Sequence, residues 1–122
     1  MRRTLTLIAL LLPFSLNAEK PLNLQTIYAQ FNSDYFWNSL PSDTTVAYGL
    51  NDPAKMAATT KLAGKYWIRL NYDYTKAPKV AEETILHEQC HIATWNEFDP
   101  HGRRWQMCMT RLAEAGAFKE LW

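Results

Sequence analysis

Between residues 22 and 40, the apolar positions of the chain recur at helical spacing. Ile27, Phe31 and Tyr35 are four residues apart, so they share one face of a helix that we predict over residues 24–37. Pro41 and the polar residues after it end this pattern. The chain is therefore expected to begin its folded part with an amphipathic helix.

Three short segments after this helix have the composition and spacing of strands. They are Thr45–Tyr48, residues 55–63 and residues 65–72. Turn-forming residues at 51–53 separate the first strand from the second, and Gly64 predicts a tight hairpin between the second and the third. We therefore expect a small three-stranded sheet.

Two further helices are predicted after the strands. Pro78 suits the first turn of a helix, and apolar residues continue at helical spacing as far as Ile92. Helix-breaking residues at positions 96, 99 and 100 end this helix, and Gly102 begins a last helix that runs through Ala113. The opening helix should pack over the first of these two. The pattern as a whole predicts one small α+β domain.

The helix that begins at Pro78 carries the sequence His-Glu-Gln-Cys-His at residues 87–91. Two histidines four apart lie one turn above the other on the same helix face, so both can bind one metal ion. Glu88 is rotated about 100° from His87 around the helix axis, which puts its carboxylate beside the open position of the metal. Zinc with three protein ligands keeps that position for water and lowers the pKa of the water to about 7. We predict that His87 and His91 bind Zn²⁺ and that Glu88 accepts a proton from the water; solvated histidines on an ordinary amphipathic helix are the alternative.

The third zinc ligand has two candidates. His101 follows the helix-breaking residues, which would let the chain turn back toward the metal. Glu114 lies on the last helix, and some zinc enzymes use two histidines and a glutamate. We favour His101, because imidazole suits zinc and because Glu114 belongs to a stretch that could equally form a solvated helix face.

Two segments resemble the core of the SprT-like (Spartan-type) zinc metallopeptidases. The first is Thr84-Ile-Leu-His-Glu-Gln-Cys-His-Ile-Ala-Thr-Trp95, and the second is His101-Gly-Arg-Arg-Trp105, where a bulky aromatic residue follows the His-Gly pair. Residues 24–36 are similar to the opening helix of that family, and residues 66–71 are similar to the strand before its active-site helix. The resemblance covers most of the chain from Leu22 to about Ala113.

The resemblance implies a small zincin-like α+β domain in which His87, His91 and His101 bind Zn²⁺ and Glu88 is the catalytic base. It also implies that residues 67–71 form a sheet edge that holds a protein or peptide substrate as an added strand. The alternative is that these residues merely complete the sheet. Of the five tryptophans, only Trp67 and Trp105 are expected near the cleft.

Residues 1–18 have the order of features of a secretory signal peptide. Two arginines precede an apolar run at residues 5–16, and Ala18 supplies a small residue at the cleavage point. A retained membrane anchor is the weaker alternative, because the run is short for a bilayer and contains a proline. Residues 19–122 would then form an exported metallopeptidase domain, periplasmic or secreted, with no stable membrane anchor.

The charge of the chain gives no electrostatic reason to expect nucleic-acid binding. The full sequence has 13 basic and 12 acidic residues, and removal of residues 1–18 takes away two arginines, which leaves 11 basic residues against 12 acidic ones. Polyanion binding normally needs a clustered positive face, but Arg103 and Arg104 are the only adjacent basic pair in the mature chain. We therefore expect a protein or peptide substrate and no nucleic acid.

The two cysteines, Cys90 and Cys108, are too few for the second zinc site, a cysteine-rich ribbon, that many SprT-like proteins carry. They could form a disulfide, because they lie on two helices that approach each other through the metal and because an export compartment is oxidising. Family members inside cells often have a cysteine at the position of Cys90, so its presence alone is weak evidence for a bond.

Three functional hypotheses remain open at this point. The leading one is a secreted or periplasmic zinc-dependent protease. The second keeps the same site but acts on peptide cross-links or other amides of the cell wall, and the third is a non-catalytic fold that binds a protein partner. The group that would stabilise the oxyanion is also open among Tyr48, Tyr72, Tyr74 and a basic side chain.

Overall fold

The structure is a computed structural model that describes residues 22–119. In chain order its elements are α1 (Leu24–Tyr35), β1 (Thr45–Tyr48), β2 (Ala57–Leu62), β3 (Lys65–Leu70), α2 (Tyr72–Thr75), α3 (Pro78–Ala93) and α4 (Arg103–Glu114). This arrangement of helices around a three-stranded sheet confirms the predicted α+β class. The predicted signal peptide at residues 1–18 lies outside the described residues. Within residues 22–119, no helix has both the length and the apolar character needed to cross a membrane.

The central strand of the sheet is β3. β1 pairs with it in parallel, and β2 pairs with it in antiparallel orientation. The β2–β3 hairpin turns at Ala63 and Gly64, whose φ angles are 52° and 80°. Glycine adopts such positive angles readily, which is why Gly64 marks the turn. The predicted hairpin is confirmed.

The prediction that residues 67–71 form a substrate-binding sheet edge is wrong. Residues 67–70 lie opposite Thr45–Tyr48 on one side and opposite β2 on the other. Both rows of backbone hydrogen-bonding groups on β3 are therefore used inside the sheet. Within the described part of the chain, the two edges of the sheet are β1 and β2.

The outer edge of β1 is covered at its first residues by a side chain from α1. The Gln25 Oε1 atom accepts a hydrogen bond from Val46 N at 3.0 Å, and Gln25 Nε2 donates one to the Thr44 carbonyl at 2.8 Å. The amide thus pairs with two backbone groups that could otherwise bind another strand. No strand or side chain within residues 22–119 pairs with the outer backbone of β2, so β2 is the open edge of the sheet.

The helix α3 packs against the sheet, α1 and α4. Ile85 of α3, Ile68 of β3 and Leu112 of α4 are fully buried in one apolar core. A buried polar contact joins α3 to α1, because Gln89 Nε2 donates to the Tyr28 carbonyl at 3.1 Å. These contacts hold α3 rigidly beside the sheet, and α3 carries the His-Glu-Gln-Cys-His motif.

Several elements begin or end at residues other than the predicted ones, because local backbone turns and helix caps set their ends. α1 ends at Tyr35 because residues 37 and 38 turn to φ angles of 54° and 56°. β3 ends at Leu70 because Asn71 caps the short helix α2, with its side-chain oxygen accepting from Asp73 N at 3.1 Å. β2 begins at residue 57 instead of 55. The single turn of α2 was not predicted, since four residues are too few to show a period.

Candidate metal centre

The three histidines of the chain come together at one point. His87 and His91 lie one turn apart on α3, and His101 lies in the segment between α3 and α4. The Nε2 atom of His87 is 3.1 Å from that of His91 and 3.3 Å from that of His101. One ligand atom from each residue lies within 4.8 Å of the other two, so the three could hold a metal ion.

The other candidate ligand, Glu114, does not join this cluster. Its side chain is exposed at the C-terminal end of α4, where it lines a separate cavity together with Arg104, Cys108 and Arg111. Of the two alternatives for a third ligand, the structure brings His101 to the histidine pair.

The electrostatics of the cluster favour the form of histidine that binds metals. The pKa of His87 is lowered to about 4, mainly by burial and in addition by the positive charges that His91 and His101 can carry. Burial and His101 also lower the pKa of His91, against a hydrogen bond to the Pro100 backbone that raises it. His87 and His91 are therefore neutral near pH 7, and neutral imidazole is a preferred ligand of zinc. The donor set fits a zinc ion.

Glu88 lies beside the cluster and is buried. Its Oε2 atom is 3.7 Å from His87 Nε2, and its Oε1 atom accepts a hydrogen bond from Thr59 Oγ1 at 2.6 Å. Burial raises the pKa of Glu88, while the Thr59 hydrogen bond and the charge of His101 oppose the increase. A carboxylate with a raised pKa is a better proton acceptor near neutral pH.

Thr59, which donates the hydrogen bond to Glu88, is a residue of the site that the sequence did not indicate. It lies on β2, on the sheet face that looks toward α3, because side chains alternate along the strand. The alternation at residues 57–62 could have placed Thr59 on one face of β2. Nothing in the sequence, however, shows that this face meets Glu88, since the sheet order is a tertiary property.

Trp105 supports all three histidines. Its ring stacks on His91 with centroids 5.5 Å apart, and it meets His87 and His101 edge-on at 4.8 and 4.7 Å. Its indole N–H also donates to the His87 carbonyl at 3.3 Å. Trp105 therefore limits the rotation of the imidazoles, and its predicted place near the cleft is confirmed.

The same prediction was wrong for Trp67. Trp67 lies opposite the exposed Thr60 of β2, and the guanidinium carbon of Arg69 is 5.5 Å from the centroid of its ring. Trp67 therefore lies on the sheet face away from α3. Trp95 lines the cavity beside the histidines instead, and it packs edge-on against Tyr66. The difference arises because one position along a strand changes the face of the sheet.

The side chain of Glu97 lies so close to Gly102, the residue after His101, that it leaves no room for a Cβ atom there. Its two carboxylate oxygens accept hydrogen bonds from the backbone N–H groups of Arg104 at 2.7 Å and Trp105 at 3.0 Å, in the first turn of α4. A Cβ atom on Gly102 would lie 2.8 Å from Glu97 Oε2, so a larger residue would displace this cap. Asp99 in turn accepts from the His101 backbone N–H at 3.1 Å. Among the described contacts, these carboxylates bind backbone and not the imidazoles.

Cys90 and Cys108 are joined by a disulfide, with their Cα atoms 5.8 Å apart. The bond connects α3, between its two histidines, to the middle of α4. Both residues are buried.

A cavity of about 610 Å³ lies between the start of β2 and the exposed face of α3, with Glu88 and the three histidines in its wall. Its lining includes Val80 and Thr84 at one end and Trp95 at the other. None of the tyrosines considered for the oxyanion lines this cavity, and Tyr74 instead donates to the Pro53 carbonyl. Lys55 is the basic side chain in the lining apart from the histidines.

Comparison with known families gives a match on this same framework. The sequence model of the SprT-like family covers residues 24–120, which includes every residue of the candidate centre. The chain belongs to the SprT-like family. A comparison with curated proteins found no match. Membership of the SprT-like family is compatible with a metallopeptidase, and the histidine cluster is compatible with the zinc site associated with that family.

Proposed function

We propose that this SprT-like chain is a zinc-dependent peptidase in which His87, His91 and His101 hold the metal and Glu88 is the general base. One observation carries the proposal: three imidazole Nε2 atoms converge beside a buried carboxylate that is not part of the ligand set. A purely structural zinc site is normally closed by four protein ligands, whereas a catalytic site has three and leaves one position open.

The protein's own groups suggest how proton transfer would occur. Zinc, when bound, supplies a Lewis acid that lowers the pKa of water and polarises a carbonyl group. Glu88 Oε1 is held by Thr59, so Oε2, on the histidine side, is the atom free to take a proton from the attacking water. The same carboxyl group can then deliver that proton to the leaving amine.

The open edge of β2 supplies a place for an extended peptide. Met56 O accepts from Asn71 N at 2.8 Å, and antiparallel strands alternate between inward and outward backbone groups. The alternation turns the N–H and C=O groups of Ala57, Thr59 and Lys61 away from β3. A peptide paired with this edge would pass beside Glu88, and its binding would depend on backbone hydrogen bonds more than on sequence.

The test is hydrolysis of a denatured protein by the full chain loaded with zinc. Replacing Glu88 with Gln should leave zinc content unchanged and lower the rate about 10²–10⁴-fold, the usual contribution of a general base. Glu83→Gln is the matched control, because Glu83 lines the same cavity one turn before His87. Full activity in Glu88→Gln, or no sensitivity of the native protein to a chelator, would refute the mechanism.

The order of features in residues 1–18 supports the further proposal that the chain is exported, to the periplasm or the medium. In that setting, peptide cross-links of the cell wall are a second substrate class for the same site. Digestion of purified peptidoglycan, run beside the denatured protein, distinguishes the two. The third possibility, a non-catalytic module that binds a protein partner with zinc structural or absent, predicts hydrolysis of neither substrate. The net charge of +1 for the full sequence gives no support to a nucleic-acid partner.

A further inference from the structure

The disulfide closes a covalent ring that contains two of the three candidate zinc ligands. Cys90 and Cys108 are 18 positions apart, and the segment between them contains His91, His101 and Trp105. Cys90 lies next to His91 on α3, so one end of the bond is attached to the helix that carries His87 and His91. The other end is attached to α4, which begins two residues after His101.

His101 is connected by hydrogen bonds to α4. Gln106 Nε2 donates to the His101 carbonyl at 2.9 Å, and the Glu97 carboxylate binds the first turn of α4. The imidazole itself is exposed, and it meets α3 at His87 and His91. The position of His101 relative to His87 therefore follows the position of α4 relative to α3.

We propose that the Cys90–Cys108 disulfide positions His101 for metal binding by fixing α4 against α3. The inference rests on the metal site proposed above but not on hydrolysis. With the bond closed, the ring restricts where His101 can lie before the metal arrives, so less conformational entropy is lost on binding. With the bond open, the same histidine must be ordered by the metal itself.

A merely structural disulfide would have a different signature. α4 is also held to α1, because Arg111 Nη1 donates to the Tyr35 carbonyl at 2.9 Å, and it buries Leu112 in the core. If the disulfide only strengthened the fold, its loss would weaken zinc binding equally with or without His101. If it positions His101, its loss should matter only when His101 is present.

The experiment is a zinc-affinity cycle on the full chain, measured by competition with a chromophoric zinc chelator. The four proteins are the native chain, Cys90→Ala/Cys108→Ala, His101→Ala and the triple variant. Opening the disulfide should lower zinc affinity about tenfold or more with His101 present, as loss of an outer support commonly does at metal sites. With His101→Ala, the same opening should change affinity less than about twofold, since no third imidazole remains to be positioned.

Arg111→Met is the matched control, since it removes the hydrogen bond from α4 to α1, together with a 4.0 Å contact to Cys108 Sγ, without opening the ring. It should lower the melting temperature and leave zinc affinity unchanged. Circular dichroism checks that each variant is folded. Should the double alanine variant not fold, Cys90→Val/Cys108→Ala, with and without His101→Ala, gives the same comparison without introducing a thiol that could itself bind zinc.

Equal losses in the two His101 backgrounds, or no loss at all, would overturn the positioning role. Absence of zinc binding by the native chain would instead overturn the metal site itself, so the two failures are distinguishable.

Discussion

At the scale of single residues, the hydrogen bond from Thr59 Oγ1 to Glu88 Oε1 bears most directly on reactivity, because it fixes which carboxylate oxygen faces the histidines. Thr59→Val keeps the branched shape but removes the donor. We expect kcat on a denatured protein to fall roughly 10-fold or more, because Oε2 would no longer be held toward the histidines and small misplacements of catalytic groups can cost up to about 10²-fold. Loss of the bond also raises the pKa of Glu88, which acts in the opposite direction but does not restore the orientation. KM and zinc affinity should not change, and Thr59→Ser should restore most of the rate.

Thr60→Val is the control for this prediction, because Thr60 is the next residue of β2 but is exposed on the opposite face. A similar loss of rate in Thr60→Val, or no recovery in Thr59→Ser, would contradict the proposed contact.

The sequence alone was enough to predict that His87, Glu88 and His91 lie close together, because helical spacing brings them together. It could not find Thr59, whose partner is 29 positions away and belongs to another element.

At the scale of elements, the side chain of Gln25 is what makes the two edges of the sheet unequal. Gln25→Ala leaves Val46 N–H and the Thr44 carbonyl without their partner. We expect a loss of about 1 kcal/mol in the free energy of unfolding, which lowers the melting temperature by roughly 4–8 °C in a domain of this size. Thermal unfolding followed by circular dichroism measures the change.

Gln30→Ala is a matched control on the same helix, because the Gln30 side chain is exposed and donates its hydrogen bond to the exposed Asp34 one turn later. Equal melting temperatures for the two variants would show that Gln25 does not close the edge.

The helices, strands and hairpin could be predicted because their signals are local. The order β1–β3–β2 could not, because the parallel pairing of β1 with β3 joins strands that are not consecutive. The wrong edge prediction for residues 67–71 is the consequence.

At the scale of the whole molecule, the packing of the elements places His87, Glu88 and His91 in the wall of the cavity, next to the apolar core. The sequence predicted which groups these are but not how burial would shift their pKa values, since burial depends on α1, α3, α4 and the sheet packing together. The disulfide likewise follows from the distance between α3 and α4, which spacing in the sequence does not define. The free energy of unfolding of the metal-free protein should therefore depend on pH through the shifted pKa values of these buried groups.

The sign of that dependence follows from His87. Its pKa is about 4 in the folded protein and 6.5 in the reference state, so the unfolded chain takes up the proton first as the pH falls. The free energy of unfolding of the metal-free protein should therefore decrease between about pH 6.5 and pH 4, with His91 adding to the loss. Glu88, whose pKa is raised, acts in the opposite direction over part of this range. Urea unfolding in a chelator should show the decrease in the native protein and a smaller one in His87→Asn, in which one of the two contributing imidazoles is gone; equal slopes would contradict the assignment.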